Sequence, residues 1–550
     1  MSDIIEDKTL IDWFKDNYEK ITFINIEPEY ERIGRSSRLK ESIADLITDK
    51  KFFEQKEKLI SIWKNLVANA IIFLKSKDDR ECFHDDGDYG IEDLGEFFDR
   101  YCKFEKLLYG SGEYYRDHVS HVFKVFLLGE KLVRDHLDDF SSIDVMDHKL
   151  ELCLFRWGEI PGDDNERLLR YLQNEYGIGW VKGAEISKSD DEKTICIKKD
   201  ENSAKIMFDE IDIKATLELN DGVIYDLKVK IENDERKIIK SKLITAEEKE
   251  AMWCIASLTH DLGYPTEVVH KIHDQLKDML SVFNIKDVSY ILSQQSQSFN
   301  DFIIRLISSD LTLCGENGSL YYTTHTQAKY YFKYSRSIEK WDHGVESCVV
   351  LMKSLVYFLE TDFSIDRRRS MKIDDAQQFL IRQRILRSIA SHNCDFIYHL
   401  KLDLSFLLRI IDEMQEWGRP KLADLFMKTP ETGFKIIKFE KDDIEYSITF
   451  RYLGGVEPED IEEFHADVKE YFRRKINTYI MILRSAVDGK QREFVLTFNV
   501  VATVSKENTY KFIHKNPQEI TCEIDGNSVE LPELDENNWD KFYETYLKND

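Results

Sequence analysis

A chain of 550 residues, 42% hydrophobic and 33% charged, is long enough for roughly two to four globular cores. Its 77 Lys and Arg against 104 Asp and Glu leave a formal charge of −27, which argues against broad binding to duplex nucleic acid, where phosphates demand a basic face. Nine scattered cysteines with no CxxC pair argue against a disulfide framework or a zinc ribbon and suit reduced thiols in a cytoplasmic protein.

The opening, MSDIIEDKTL, lacks the basic start and apolar run of a signal peptide, and runs such as 345–352 are too short to span a bilayer, so no membrane partner is expected. To about residue 110 the chain reads as helices; 58–75 is apolar at Leu59, Ile62, Trp63, Leu66, Ala70 and Leu74. Strong helical period returns at 113–133. Short β-branched segments at 194–199, 204–208, 213–219 and 223–231, separated by Asp, Asn and Gly, then read as strands. Helices resume at about 246 and run with interruptions to about 418. Beyond 418-GRP-420 come strands at 433–439 and 445–453, a helix over 458–486 and a strand over 492–504. The expected class is mainly α: a helical region over 1–110, a helical domain over 111–420 with a β-rich insertion at about 160–245, and a C-terminal α+β domain over 421–550.

Chemistry concentrates in a few polar residues on apolar helices. In 253-WCIASLTHDLGYP-265 an apolar helix runs up to His260 and Asp261, and Gly263 and Pro265 end it. Burying such a pair is costly unless both groups are partnered or bind metal. His121 shares a stripe with Val125, Leu128 and Leu132, with His118 one turn back. Asp412 edges the stripe Leu404, Leu407, Leu408, Ile411 and Met414, where a metal ion or a partner such as Arg409 or Arg419 would serve it. His343 and His392 also join apolar helical periodicity. Each histidine alone could be a satisfied core residue. Imidazole and carboxylate together suit Mn²⁺, Mg²⁺, Fe, Co²⁺ or Zn²⁺.

The ordered set His121 … His260-Asp261 … Asp412 resembles the HD superfamily of metal-dependent phosphohydrolases over roughly residues 113–420, the insertion apart. The local strings resemble it too: 121-HVFKV-125 is similar to its first motif, which favours His121 over His118, and 406-FLLRIIDEMQEWGRP-420 is similar to its closing helix. The resemblance implies one or two divalent ions per chain, with His121, His260, Asp261 and Asp412 as ligands and His343 and His392 added where members hold more than one ion. It assigns catalysis to Asp261 and His260 and implies hydrolysis of a phosphoester in a nucleotide, cyclic nucleotide or nucleic-acid end by a metal-activated water. His118, Asp117, Asp342 and Arg419 are candidates for the surrounding shell or pocket: the acids to orient imidazoles, Arg419 with 367-RRR-369 and 382-RQRILR-387 to hold phosphates. His270 and His273 could line the pocket, and charge runs such as 382–387 and 472-FRRK-475 otherwise read as solvated faces.

Two departures from the family stand out. The 263-GYP-265 string follows the His-Asp pair directly and comes without a paired-histidine motif, unlike the cyclic-di-GMP phosphodiesterase branch. Tyr264 stands where many relatives carry a polar residue, which leaves the general acid unassigned. The alternatives are a non-catalytic metal or nucleotide sensor and a metal-dependent nuclease of defence or repair; homo-oligomerisation is left open.

Overall fold

The computed structural model describes residues 3–25, 35–47, 52–75, 90–108, 117–135, 169, 172, 178–188, 194–208, 214–220, 224–232, 235–239, 244, 246–282, 297–316, 319–359, 373–394, 404–415, 417, 431–440, 443–452, 458–486, 494–504, 507–516 and 519–529. They are mainly helical, with three β-sheets.

Three helices have apolar residues around their whole circumference and therefore go to the centre. They are α5 (His118–Asp135), α6 (Ala246–Thr259) and α11 (Ile373–His392). Around them pack α1 (Asp7–Asn17), α2 (Arg35–Ile47), α3 (Lys56–Leu74) and α4 (Ile91–Leu108) from the N-terminal side. Four more are α7 (Tyr264–Ser281), α8 (Gln297–Ser308), α9 (Ala328–Glu339) and α10 (His343–Ser354), and α12 (Leu404–Met414) closes the set.

Indole groups fix the spacing around α6. Trp63 donates to Leu258 O at 2.7 Å, and Trp253 donates to Phe126 O at 3.1 Å. Gly129 makes the second contact feasible: a Cβ there would lie 2.0 Å from the Trp253 ring.

Six strands, Glu185–Lys188, Thr194–Lys199, Asn202–Phe208, Lys214–Leu219, Ile224–Glu232 and Glu235–Ile239, form an antiparallel meander in sequence order. They lie inside the expected insertion. One face of the meander closes on a small core of its own, with Leu172 and Val181 against Ile195, Ile197, Ile206 and Leu217.

A seven-stranded sheet stands at the other end of the chain. Its strands are Glu431–Glu440, Asp443–Arg451, Val495–Thr503, Glu507–Asn516, Glu519–Ile524 and Asn527–Val529 in that order, with Asp3–Ile5 added at the first edge. The pairing of Asp443–Arg451 with Val495–Thr503 is parallel and needs a crossover, which α13 (Pro458–Ala486) supplies. Tyr479 and Phe472 of α13 pack on Phe498 of the sheet.

The structure departs from the sequence reading in three places. Residues 309–326, expected among helices, form a hairpin of Ser309–Glu316 on Ser319–Thr326. The N-terminal region contributes a strand, not helices alone, because Asp3 to Ile5 find an open edge at Phe434–Ile436. One continuous core runs from Ile5 to Cys522. Arg382, Arg384 and Arg387 are buried instead of solvated: Arg382 lies over the Tyr357 ring, Arg387 over Tyr330, and Arg384 3.7 Å from Asp310. In the 472–475 run the outcome is mixed, since Arg473 is exposed and Lys475 is buried on Glu413 at 2.7 Å. No helix among the described residues is long and apolar enough to cross a membrane.

Candidate metal centre

The three central helices deliver their polar residues to one point. Near the start of α5, His121 and His118 face inwards; past the end of α6, His260 and Asp261 occupy a turn; His392 is the last residue of α11. That turn is built by contacts to α10. Ser347 Oγ donates to His260 O at 2.6 Å and accepts the Gly263 N–H at 2.7 Å. A side chain on Gly263 would place Cβ 2.3 Å from His343 O, so α10 can approach only a glycine. Pro265 then serves the first turn of α7, where its missing N–H costs nothing, and so starts the next helix as well as ending the previous one.

Asp261 is the hub. Its Oδ2 lies 3.4 Å from Nε2 of both His121 and His260, and its Oδ1 lies 3.2 Å from His343 Nε2 and 3.5 Å from His392 Nε2. Asp412 Oδ1 adds to the first group, 3.0 Å from His121 Nε2 and 3.7 Å from His260 Nε2. The ligand atoms of His121, His260 and Asp412 fall within 4.8 Å of one another, as do those of His260, Asp261 and His392. Five of the six residues are buried, and His343 is half-buried.

Outer partners fix each imidazole tautomer. His260 Nδ1 faces Ser257 O at 2.8 Å and His392 Nδ1 faces Ile389 O at 2.6 Å; carbonyls only accept, so both nitrogens donate. His121 Nδ1 faces Gln415 Oε1 at 2.5 Å, and that amide is oriented by its own N–H on Trp417 O at 2.8 Å. His343 Nδ1 faces Glu267 Oε2 at 2.5 Å. With Nδ1 of His121, His260 and His392 committed as a donor, the neutral forms of those rings turn an Nε2 lone pair on Asp261, whereas His343 Nδ1 faces both Glu267 Oε2 and Asn393 Nδ2, the latter at 2.7 Å.

Such a convergence of acceptors repels itself unless a cation lies between them. The two Nε2 atoms of His343 and His392 are 3.0 Å apart, and the fully buried Nε2 of His260 makes no hydrogen bond. Protons feel the same pull. Burial works against charging His343, yet its hydrogen bonds to Asp261 and Glu267 push its pKa up to about 9. His260 is likewise raised: burial opposes the charge, and the Asp261 and Asp412 carboxylates overcome it. Burial, with His260 and His343 alongside, drives His392 down to about 4. Two carboxylates and four imidazoles with outward donors and inward lone pairs fit a divalent ion by donor chemistry.

The other expected residues divide. His118 lies on the rim, its Nε2 3.9 Å from Asp261 Oδ2 and its ring between Tyr101 and Tyr264. Asp117 does not orient His121: it accepts the Ser120 N–H and pairs with Lys56 at 2.7 Å, while Gln415 holds the ring. Asp342 does not orient His343 either; it accepts from Ser337 Oγ, and Glu267 takes the imidazole. Arg409 pairs with Glu413 at 3.7 Å instead of Asp412. His270 stacks on Trp341, and His273 faces Asp274 at 3.8 Å. Arg419 and 367-RRR-369 lie outside the described residues.

Sequence reasoning passed over Gln415, Glu267 and Ser347. Gln415 carried a signal, since it continues the apolar stripe four residues after Ile411. Glu267 did not, because an acid in the first turn of a helix is commonplace. No protein-family model, no curated protein and no solved structure matches the chain.

Proposed function

We propose that the chain is an HD-type metal-dependent phosphohydrolase that cleaves a phosphoester in a nucleotide, cyclic nucleotide or nucleic-acid end. The observation that carries this reading is the set of four imidazoles, each tied at Nδ1, whose Nε2 atoms meet both oxygens of Asp261. A bound divalent ion (Mn, Mg, Fe, Co or Zn) supplies Lewis acidity and brings the pKa of water from about 15.7 towards neutrality.

The chain's own residues supply the rest. His121, His260, Asp261 and Asp412 hold the Oδ2 side, and Asp261, His343 and His392 hold the Oδ1 side. Gln415, Ser257, Glu267 and Ile389 keep the ring planes in place, so the donors need no reorganisation when the substrate arrives. Apolar walls from α5, α6 and α11 keep bulk water away and strengthen each charge interaction. A net charge of −27 favours a small phosphorylated substrate over long duplexes. The cysteines among the described residues, Cys102, Cys196, Cys254, Cys348, Cys394 and Cys522, form no disulfide with one another, which suits the cytoplasm.

The test is metal analysis of the purified chain together with Mn²⁺-supported hydrolysis of bis(p-nitrophenyl) phosphate, nucleotides and cyclic dinucleotides. Wild type is expected to retain metal and hydrolyse at least one of them. Asp261→Ala is expected to lose both properties, and full activity in that variant would overturn the reading.

A further inference from the structure

The two sides of Asp261 are unequal in charge. On the Oδ2 side, the Asp412 carboxylate joins His121 and His260 directly. On the Oδ1 side the ligand atoms among the described residues are imidazoles, those of His343 and His392. An ion on that side would meet just one oxygen of a shared carboxylate and two neutral rings. It would also sit at the first residue of α10, where the positive end of a helix dipole disfavours a cation.

Glu267 offsets both deficits. Its Oε2 lies 2.5 Å from His343 Nδ1, accepts the His343 backbone N–H at 3.1 Å and accepts Asn393 Nδ2 at 3.3 Å. The carboxylate therefore caps α10 and places a negative charge directly behind the imidazole. A ring hydrogen-bonded to a carboxylate is a stronger donor through its other nitrogen than one bonded to an amide or a carbonyl. At Nδ1, His121, His260 and His392 face neutral groups: Gln415, Ser257 O and Ile389 O. Glu267 itself is held by α7, and Lys271 one turn on grips its second oxygen at 2.5 Å. This pairing leaves Oε2 turned to His343.

We infer that Glu267 is a positioning residue whose carboxylate makes the Oδ1 side of Asp261 able to hold a second divalent ion beside the one on the Oδ2 side. The inference rests on the metal-centre reading above and adds a specific dependence to it. Loading is then ordered. The side with Asp412 fills first and does not need Glu267, whereas the His343–His392 side fills second and does.

Equilibrium dialysis of the full chain against Mn²⁺ alone, with elemental analysis, reads the two affinities. The electron paramagnetic resonance spectrum separates an exchange-coupled pair from a single ion. Wild type is expected to bind two ions per chain and give the coupled signal. Glu267→Gln is expected to keep the first affinity and weaken the second by about 10–100-fold, leaving a single-ion spectrum at Mn²⁺ concentrations that fill both sides in wild type. Glu267→Asp, which keeps the charge on a shorter arm, should fall between them. It also serves if the amide variant does not fold. Two ions with unchanged affinities in Glu267→Gln would overturn this inference and leave the metal centre standing. So would equal weakening of both ions in either variant, the mark of a merely structural role. A wild-type chain that binds no ion would overturn the metal reading itself.

Discussion

The two large sheets differ in what they share with the helices. The seven-stranded sheet belongs to the same continuous core as α5, α6 and α11, and it reaches the helix that carries Asp412. Phe494 meets Phe406 edge-on, Lys475 grips Glu413, and Trp417 stacks on Phe434 while donating to Asp7 at 2.8 Å. The six-stranded meander closes on a core of its own. A sheet that shares its core must melt with the site; a sheet with a private core can open by itself. Sequence position says nothing of this, since the private sheet sits in the middle of the chain and the shared one at its end.

The largest expected effect breaks the shared core. Phe498 is fully buried and touches the rings of Tyr446, Phe472 and Tyr479. Phe498→Ala should cost about 3–5 kcal/mol and lower the melting temperature of helices and sheet together. Circular dichroism and metal retention followed along one thermal ramp should show a single early transition. Retained metal after loss of the sheet signal would break the comparison.

A smaller effect on the whole chain is expected from Ile206→Ala in the private core, where roughly 2–5 kcal/mol is lost locally. Hydrogen exchange should rise across the strands of the meander while metal content and hydrolysis stay near wild type. A proportional loss of metal would show that the meander is tied to the site after all.

Acidity separates the two regions as well. Burial raises Glu130 of the shared core to about 8 from an ordinary 4.5, although Arg134 opposes the rise. The folded state then keeps a proton that the unfolded chain releases. This contribution to stability is full below about 4.5 and is lost as pH rises towards about 8. Between pH 5 and 8 the melting temperature should therefore drift down, and Glu130→Gln should flatten the drift. Exchange within the meander should follow the drift less.

The mildest change expected is His118→Ala. At 3.9 Å from Asp261, against 3.4 Å for His121, it should weaken metal uptake by a few-fold at most, while His121→Ala removes most of it. Equal losses from the two would leave no reason to rank them.

The residues around Asp261 were legible because a histidine or aspartate inside an apolar helical stripe stands out wherever it occurs. His121, His260, Asp261, His343, His392 and Asp412 all have that signature, and the structure brings all of them together. Their outer partners lack it. Glu267 looks like any first-turn acid, and Asp117 and Asp342 seemed nearer in sequence to the rings they do not hold. The hairpin of Ser309–Glu316 on Ser319–Thr326 was lost among helices, although the string 315-GENG-318 and the β-branched residues after it are a sequence signal for strands. The strand at Asp3–Ile5 could not be read at all. Three residues carry no local pattern, and their partner lies more than four hundred positions away.

That strand sets a timetable. Asp3 pairs with Ile436 and Ile5 with Phe434, so the first edge of the seven-stranded sheet cannot form until synthesis has passed residue 440. At roughly 5–20 residues per second, the opening segment waits on the order of 20–90 s for its neighbour. Asp7 likewise lacks its partner until Trp417 is made, so the tie between the first helix and the end of the helical core also comes late. During that interval a ribosome-bound chain can assemble its central helices, yet the helix bearing Asp412 still lacks the sheet that supports it.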